Sequence, residues 1–185
     1  MDLSLAALLG DKIYSFGELL NHPVLKSLEG SGYEWLAQLL AAFNAGDLEK
    51  YEALCAQHAG VLNAQPALVA AERQLREKIT ILALIETVAA LPSEKRTISL
   101  ADIAAKTQLS LDGVEFLLMK TLSVRLIEGV IDQVAGTVRV TWVQPRVLLP
   151  SQIAAMRDRL DGWISKVTAA RMELEAGDPG LIGMA

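Results

Sequence analysis

The sequence predicts a mainly α-helical protein: a short helical-repeat stack, a long helix joining it to a winged-helix subdomain, and a long C-terminal helix. Three observations carry this. Only 5% of the 185 residues are aromatic while Leu and Ala abound. Apolar residues recur at helical spacing over most of the chain. Alternating residues near 126–143 supply a single hairpin of strands. The expected organisation is a helical stack and spine helix over 1–91, a winged helix over 92–148, a helix over 149–176 and a flexible tail over 177–185.

In the first part, Leu3, Leu5, Leu8 and Leu9 begin a helix that Gly10 ends. Ser15 is a candidate cap for the next, with Glu18 three residues on to complete a capping box. Pro23 belongs in the first turn of a further short helix, Val24 to Leu28. Between Tyr33 and Phe43, residues Trp35, Leu36, Leu39, Leu40 and Phe43 repeat at i, i+3, i+4. Asn44-Ala-Gly46 stops that helix, and Asp47 caps the next, Leu48 to about His58. Gln65-Pro66 opens a long helix to about Leu91. Its first half carries Glu72, Arg73, Arg76, Glu77 and Lys78, and its second half is almost wholly apolar. That change predicts a spine buried on most sides where two lobes meet.

After Pro92 the pattern changes. Thr97-Ile98 reads as a short strand. Ser99 caps one helix and Ser110 another, whose inner face is Val114, Leu117, Leu118, Thr121 and Leu122. Strands Leu126–Asp132 and Val138–Val143 follow, joined by a turn at Gly136. Strand, helix, turn, helix, strand, strand is the order of a winged helix-turn-helix. Trp142 is expected in the wing core, since it alternates faces with Val143. Pro150 to about Glu175 then makes seven turns. There Ile153, Met156, Leu160, Trp163, Val167, Ala170 and Leu174 alternate at spacings of three and four, the seam of a helix that needs another helix to cover it.

Composition narrows the function. With 52% hydrophobic residues, 21% charged and positive mean hydropathy, disorder is excluded. The longest apolar run, Ile79 to Leu91, is broken by Glu86 and falls short of the ~20 residues a bilayer requires. The N-terminus, Met1-Asp2-Leu3, has no basic n-region, so no secretory signal is expected, and the single cysteine, Cys55, fits a reducing compartment. A soluble intracellular protein is expected. A net charge of −5 gives no general means of binding phosphate backbones. Across 93–143 six basic residues meet six acidic ones, and the helix that would read DNA offers Asp112, Glu115 and only Lys120.

Catalytic constellations are scarce. Cys55 and His58 are i, i+3 on one helix and could pair, although a buried thiol beside a helix-end imidazole explains them as well. The chain has two histidines and one cysteine, which cannot make the usual zinc site. Phosphate-cradling glycine loops and GxSxG elbows are absent. Asp112 and Glu115 read as a solvated face. No enzyme, cofactor or metal is expected.

The stretches FGELLNHPVLKSL (16–28), AFNAGDLEKYEAL (42–54), VEFLLMKTLSVRLIEG (114–129), VRVTWVQPRVL (138–148) and MRDRLDGW (156–163) resemble, in collinear order, the proteasome-lid members of the PCI-domain family. That family also supplies subunits of the signalosome and of translation initiation factor three. The resemblance implies a non-catalytic lid scaffold in cytoplasm and nucleus, supporting ubiquitin-dependent degradation and partnered by other PCI-containing lid subunits. In the family, winged helices pack edge to edge and C-terminal helices gather into a bundle. Carried over, strands 126–132 and 138–143 would form the edge. The partner interface would be Ile153, Met156, Leu160, Trp163, Val167 and Leu174, with Trp163 as its anchor. It also implies that a preceding helical-repeat arm is missing from this sequence. A PCI scaffold of another complex, a winged-helix nucleic-acid binder and a self-associating helical protein stay open as alternatives, as does a C-terminal helix folded back into the chain's own core.

Overall fold

The computed structural model describes residues 2–28, 30–92, 96–147 and 150–177. The flexible tail expected over 177–185 lies outside the described residues except for Gly177, which ends a helix instead; Glu94 and Lys95 of the charge balance also lie outside them. The chain divides into two compact units, 1–146 and 147–185.

The first unit opens with α1 (Asp2–Leu9), α2 (Gly17–Asn21), a 3-10 turn (Pro23–Leu28), α3 (Glu34–Ala45), α4 (Leu48–Gln57), α5 (Ala59–Asn63), α6 (Pro66–Ala70) and α7 (Glu72–Ala89). It continues with β1 (Thr97–Ser99), α8 (Leu100–Thr107), α9 (Leu111–Ser123), β2 (Ile127–Asp132) and β3 (Thr137–Val143). The mainly helical fold with a small sheet agrees with the sequence, and several caps form as expected. Asp47 accepts from the Lys50 amide at 3.0 Å, Ser99 from that of Ala101 at 3.1 Å and Ser110 from that of Gly113 at 3.2 Å. Each satisfies one of a helix's free N-terminal amides.

Two local expectations fail, and one charged residue is buried. Ser15 caps nothing: Phe16 occupies the cap of α2, with no side-chain bond. Its fully buried ring stacks edge-on to Phe43 at 5.8 Å, so core packing sets this helix start. The long helix from Pro66 is broken at Ala71, whose φ of −101° and ψ of 8° leave the helical region. Neither glycine nor proline marks that break. It divides two pieces that bury Leu68 and Leu75 in one cluster. Lys78, in the charged first half of that stretch, is 4% exposed.

Two apolar clusters meet on α7. The stack cluster takes Leu75, Ile79 and Leu82 from it, together with Leu8, Phe16, Leu36, Leu40 and Phe43. The winged-helix cluster takes Ile81, Leu84, Ile85 and Val88, together with Ile98, Ile103, Val114, Leu118 and Val138. A helix buried on both faces reads as apolar nearly all round, as Ile79–Val88 does apart from Thr80, Glu86 and Thr87. The end of α3 crosses it closely at Gly46, which holds φ +63°. A Cβ there would lie 2.7 Å from both the N and the Cα of Ala83.

Lys78 ties the N-terminal segment to α7. Its ammonium donates to the carbonyls of Ala7, Leu8 and Gly10 at 3.2, 3.0 and 2.8 Å, capping the C-terminal end of α1. It also lies 5.6 Å from the Tyr14 ring centroid and 5.2 Å from that of Phe16. Burial drives its pKa down to about 8, against a smaller opposing pull from Asp11.

The sheet is antiparallel in the order β1-β3-β2. β3 is thus paired on both sides, which corrects the expectation that 138–143 forms an open edge; β2 is the longer outer strand. Glu128 faces Trp142 and Gly129 faces Val140, so Thr141 is an extra residue, a bulge. A Cβ on Gly129 would fall 2.4 Å from the Arg139 carbonyl oxygen, so this close approach requires glycine. The bulge also corrects Trp142. Val138 and Val140 point inward, and unbroken alternation would bury Trp142 too. One extra residue rephases the strand and leaves it 40% exposed.

In the second unit the described structure is one helix, α10 (Pro150–Gly177).

Gly46→Ala should lower unfolding free energy by about 2 kcal/mol or more, through positive φ and contact with α7; an unchanged urea midpoint would refute the tight crossing. Between pH 8 and 10.5 the unfolded chain keeps the Lys78 proton that the folded chain releases. Stability should therefore rise with pH across that window relative to Lys78→Met. Parallel stability–pH profiles for the two proteins would contradict it.

Candidate partner-binding surfaces

Heptad spacing puts Ile153, Met156, Leu160, Trp163, Val167, Ala170 and Leu174 on one stripe of α10. All its described side chains from Ile153 to Leu174 are exposed. Among the expected interface residues the exposure runs from 49% at Met156 to 72% at Leu174, with Trp163 at 65%. Such a run of large apolar groups in water is the signature of a surface that meets something else. Ile164, which the spacing did not single out, is 57% exposed and widens the stripe. Met172, also exposed, lies on the opposite side.

The outer strand β2 pairs only with β3 among the described residues, so its other edge offers free backbone donors and acceptors. Val130 on it is exposed, and Glu128 and Asp132 carry charge.

A third surface is the outer face of α9, where a winged helix would read DNA. It presents Leu111, Phe116 and Met119, all more than half exposed. Its one basic residue, Lys120, is paired to Glu77 of α7, and Glu115 accepts from Gln133 at 3.1 Å. Phe116 and Met119 lie outside the inner-face pattern, and the complementary face of the same helical periodicity carries them. Beside it, a groove of about 670 Å³ runs between α9 and the stack, lined in part by Leu48, Arg73, Arg76, Leu109 and Phe116.

The Cys55–His58 pair does not assemble. Cys55 is hydrogen-bonded with the Tyr51 hydroxyl, and burial pushes its thiol pKa up, away from the thiolate a nucleophile needs. The His58 ring lies against Trp35, centroids 6.5 Å apart. Asp112 is exposed on α9, apart from the inward face. No cluster of three metal-binding side chains occurs among the described residues, and none of their helices is long and apolar enough to cross a membrane.

The segment WVQPRVL finds its structural reason in Arg146. Its guanidinium donates to Glu86 Oε2 of α7 at 3.2 Å and also to the Asn44 carbonyl of α3. The side chain is 17% exposed. Burial lowers its pKa, with Glu86 acting in the opposite direction. Together with the Gln144 amide, which donates to the Leu126 carbonyl at 2.9 Å, Arg146 fastens the chain after β3 to both clusters.

Comparison with known proteins places these surfaces in context. Residues 1–40 match the family described as PSD13 N-terminal repeats, and residues 55–142 match the PCI domain. The 26S proteasome non-ATPase regulatory subunit 13 homolog A of Arabidopsis thaliana is 58% identical over 98% of this chain and 47% of its own length. The 26S proteasome regulatory subunit RPN9 of Saccharomyces cerevisiae is 43% identical over 95% of the chain and 44% of its own. The eukaryotic translation initiation factor 3 subunit M of Aspergillus terreus is 28% identical over 85% of the chain. The chain spans about half the length of the proteasome relatives it matches.

Arg146→Ala should cost about 1–3 kcal/mol, by removing the donor to the Asn44 carbonyl and the ion pair with Glu86. Arg146→Lys should recover only part, because an ammonium lacks the fork that reaches both. Equal urea midpoints for wild type and Arg146→Ala would contradict the fastening role.

Proposed function

We propose that the chain, which carries a PCI-domain match over residues 55–142, acts as a non-catalytic scaffold of the 26S proteasome regulatory-particle lid. The observation that carries this is the 58% identity to a proteasome regulatory subunit over 98% of the chain. The partners are other PCI-containing lid subunits, and the role supports ubiquitin-dependent protein degradation in cytoplasm and nucleus. The alternative of a translation initiation factor scaffold is disfavoured by the drop to 28% identity.

The functional division is a helical stack with its spine over 1–91, a winged helix over 92–148 and an assembly helix over 149–176. The winged helix contributes the β2 edge, where a neighbour's backbone can add hydrogen bonds. The assembly helix contributes Ile153, Met156, Leu160, Trp163, Val167 and Leu174. Burying one such side chain is worth ~1.5–3 kcal/mol, so a few of them supply much of the assembly energy. Trp163 is large and central, the usual character of an interface anchor. A scaffold of this kind needs no cofactor, and the raised Cys55 thiol pKa supports a role without nucleophilic chemistry. A nucleic-acid role is disfavoured by the apolar outer face of α9 and by the engagement of Lys120 with Glu77.

Tagged chain captured from a cytosolic extract should bring down lid PCI subunits, identified by mass spectrometry. Trp163→Ala and Leu160→Asp should each abolish that recovery while shifting the unfolding midpoint little, because both side chains are exposed. Recovery of signalosome or initiation-factor subunits instead, or undiminished lid recovery by both variants, would overturn the assignment.

A further inference from the structure

The charges beside the α10 seam are unequally distributed between its faces. With Ile153, Leu160, Val167 and Leu174 at a and Met156, Trp163 and Ala170 at d, the e and g positions from 157 to 173 hold Arg157, Arg159, Ile164, Lys166, Arg171 and Glu173. Four are basic and one acidic, although the net charge from 157 to 175 is zero. The balance is kept by placing Asp158 and Asp161 toward the far side of the helix. Two of the cations are engaged within the helix: Arg157 with Asp158 at 2.7 Å and Arg171 with Glu175 at 2.7 Å. These pairs are largely exposed and of the kind that exchanges readily. Arg159 and Lys166 have no ion pair among the described residues.

Flanking charges choose the partner of a helical seam and its orientation. In a parallel pairing of two copies, Lys166 would face the second copy's Arg171. In the two antiparallel registers of longest overlap that stack a on d, Arg159 would face the second copy's Lys166, or Arg157 the second copy's Arg171, the latter with Arg159 set against Glu173. Each arrangement puts like charges together beside the apolar contact, where repulsion opposes association. The face that needs covering is thus unsuited to a second copy of itself.

We infer that α10 is covered by a helix of a different protein, one that carries acidic side chains at the positions flanking its own apolar seam. This rests on the reading of α10 as an assembly helix and specifies the chemistry of its partner. The seam supplies affinity, and the basic flanks supply choice: they attract an acidic neighbour and reject α10 of another copy.

Two fluorescently labelled synthetic 28-residue helices test this. They share one Leu seam and differ at every e and g position, one carrying Glu and the other Lys. Each is titrated against the whole 185-residue chain, followed by peptide anisotropy and Trp fluorescence. The Glu helix should bind on the order of tenfold more tightly at low ionic strength, and the gap should shrink as salt screens it. The double variant Arg159→Glu, Lys166→Glu, altered at exposed positions only, should lose or invert that preference. Equal or better binding of the Lys helix, binding of neither, or a dimer of the free chain that Trp163→Ala dissolves in sedimentation would each overturn the inference. No lid protein enters this assay. A failed extract capture alongside a clear Glu preference would therefore defeat the lid assignment and leave the partner chemistry standing.

Discussion

The two-sided burial of α7 (Glu72–Ala89) is the constraint on which the rest of the first unit depends. One set of its side chains closes the stack cluster and another closes the winged-helix cluster. Neither cluster could shed this helix without exposing several large aliphatic groups, each worth a few kcal/mol when buried. The same burial explains why α3 can end only at a residue without a Cβ, since the backbone of α7 passes directly beneath Gly46. Arg146 and Lys78 reinforce the arrangement from opposite ends of the unit's sequence. Each is a cation drawn largely out of water that directs donors to backbone carbonyls, Lys78 at the end of α1 and Arg146 at the end of α3.

This rigidity has a functional counterpart. The β2 edge and the outer face of α9 belong to the winged-helix cluster, so α7 holds them against the helical stack. A scaffold works by presenting surfaces at fixed separations, and a helix shared by two cores is a direct way to achieve that. The 28-residue α10 follows another rule. Its apolar stripe is exposed, and helices in proteins draw most of their stability from packing rather than propensity. On the proposed reading a partner meets its requirements, and its flanking charges specify what kind.

What could be read in the sequence follows the range of the interactions involved. Caps at Asp47, Ser99 and Ser110 and the stop at Gly46 are chemistry within three or four residues, and they stand where expected. The winged helix follows from the order of periodicities. What escaped is decided at long range. Phe16 takes a cap position because its ring is needed by Phe43. Ala71 breaks a helix with no local signal. Lys78 sits in a polar run, yet the carbonyls that pull it inward lie about seventy residues earlier. The Thr141 bulge is a property of the pairing with Gly129, and with it Trp142 turns outward. The α10 stripe was legible as a pattern, since heptad spacing is local. The asymmetry of its flanking charges is equally present in the sequence and emerges once positions are sorted by face.

The central claim is that α10 is completed only by assembly, and amide hydrogen exchange across 150–177 tests it most directly. The account predicts fast exchange along α10 in the free chain and strong protection in chain recovered with lid subunits, with α7 protected in both. Equal protection of α10 in the free chain and in the complex would contradict it.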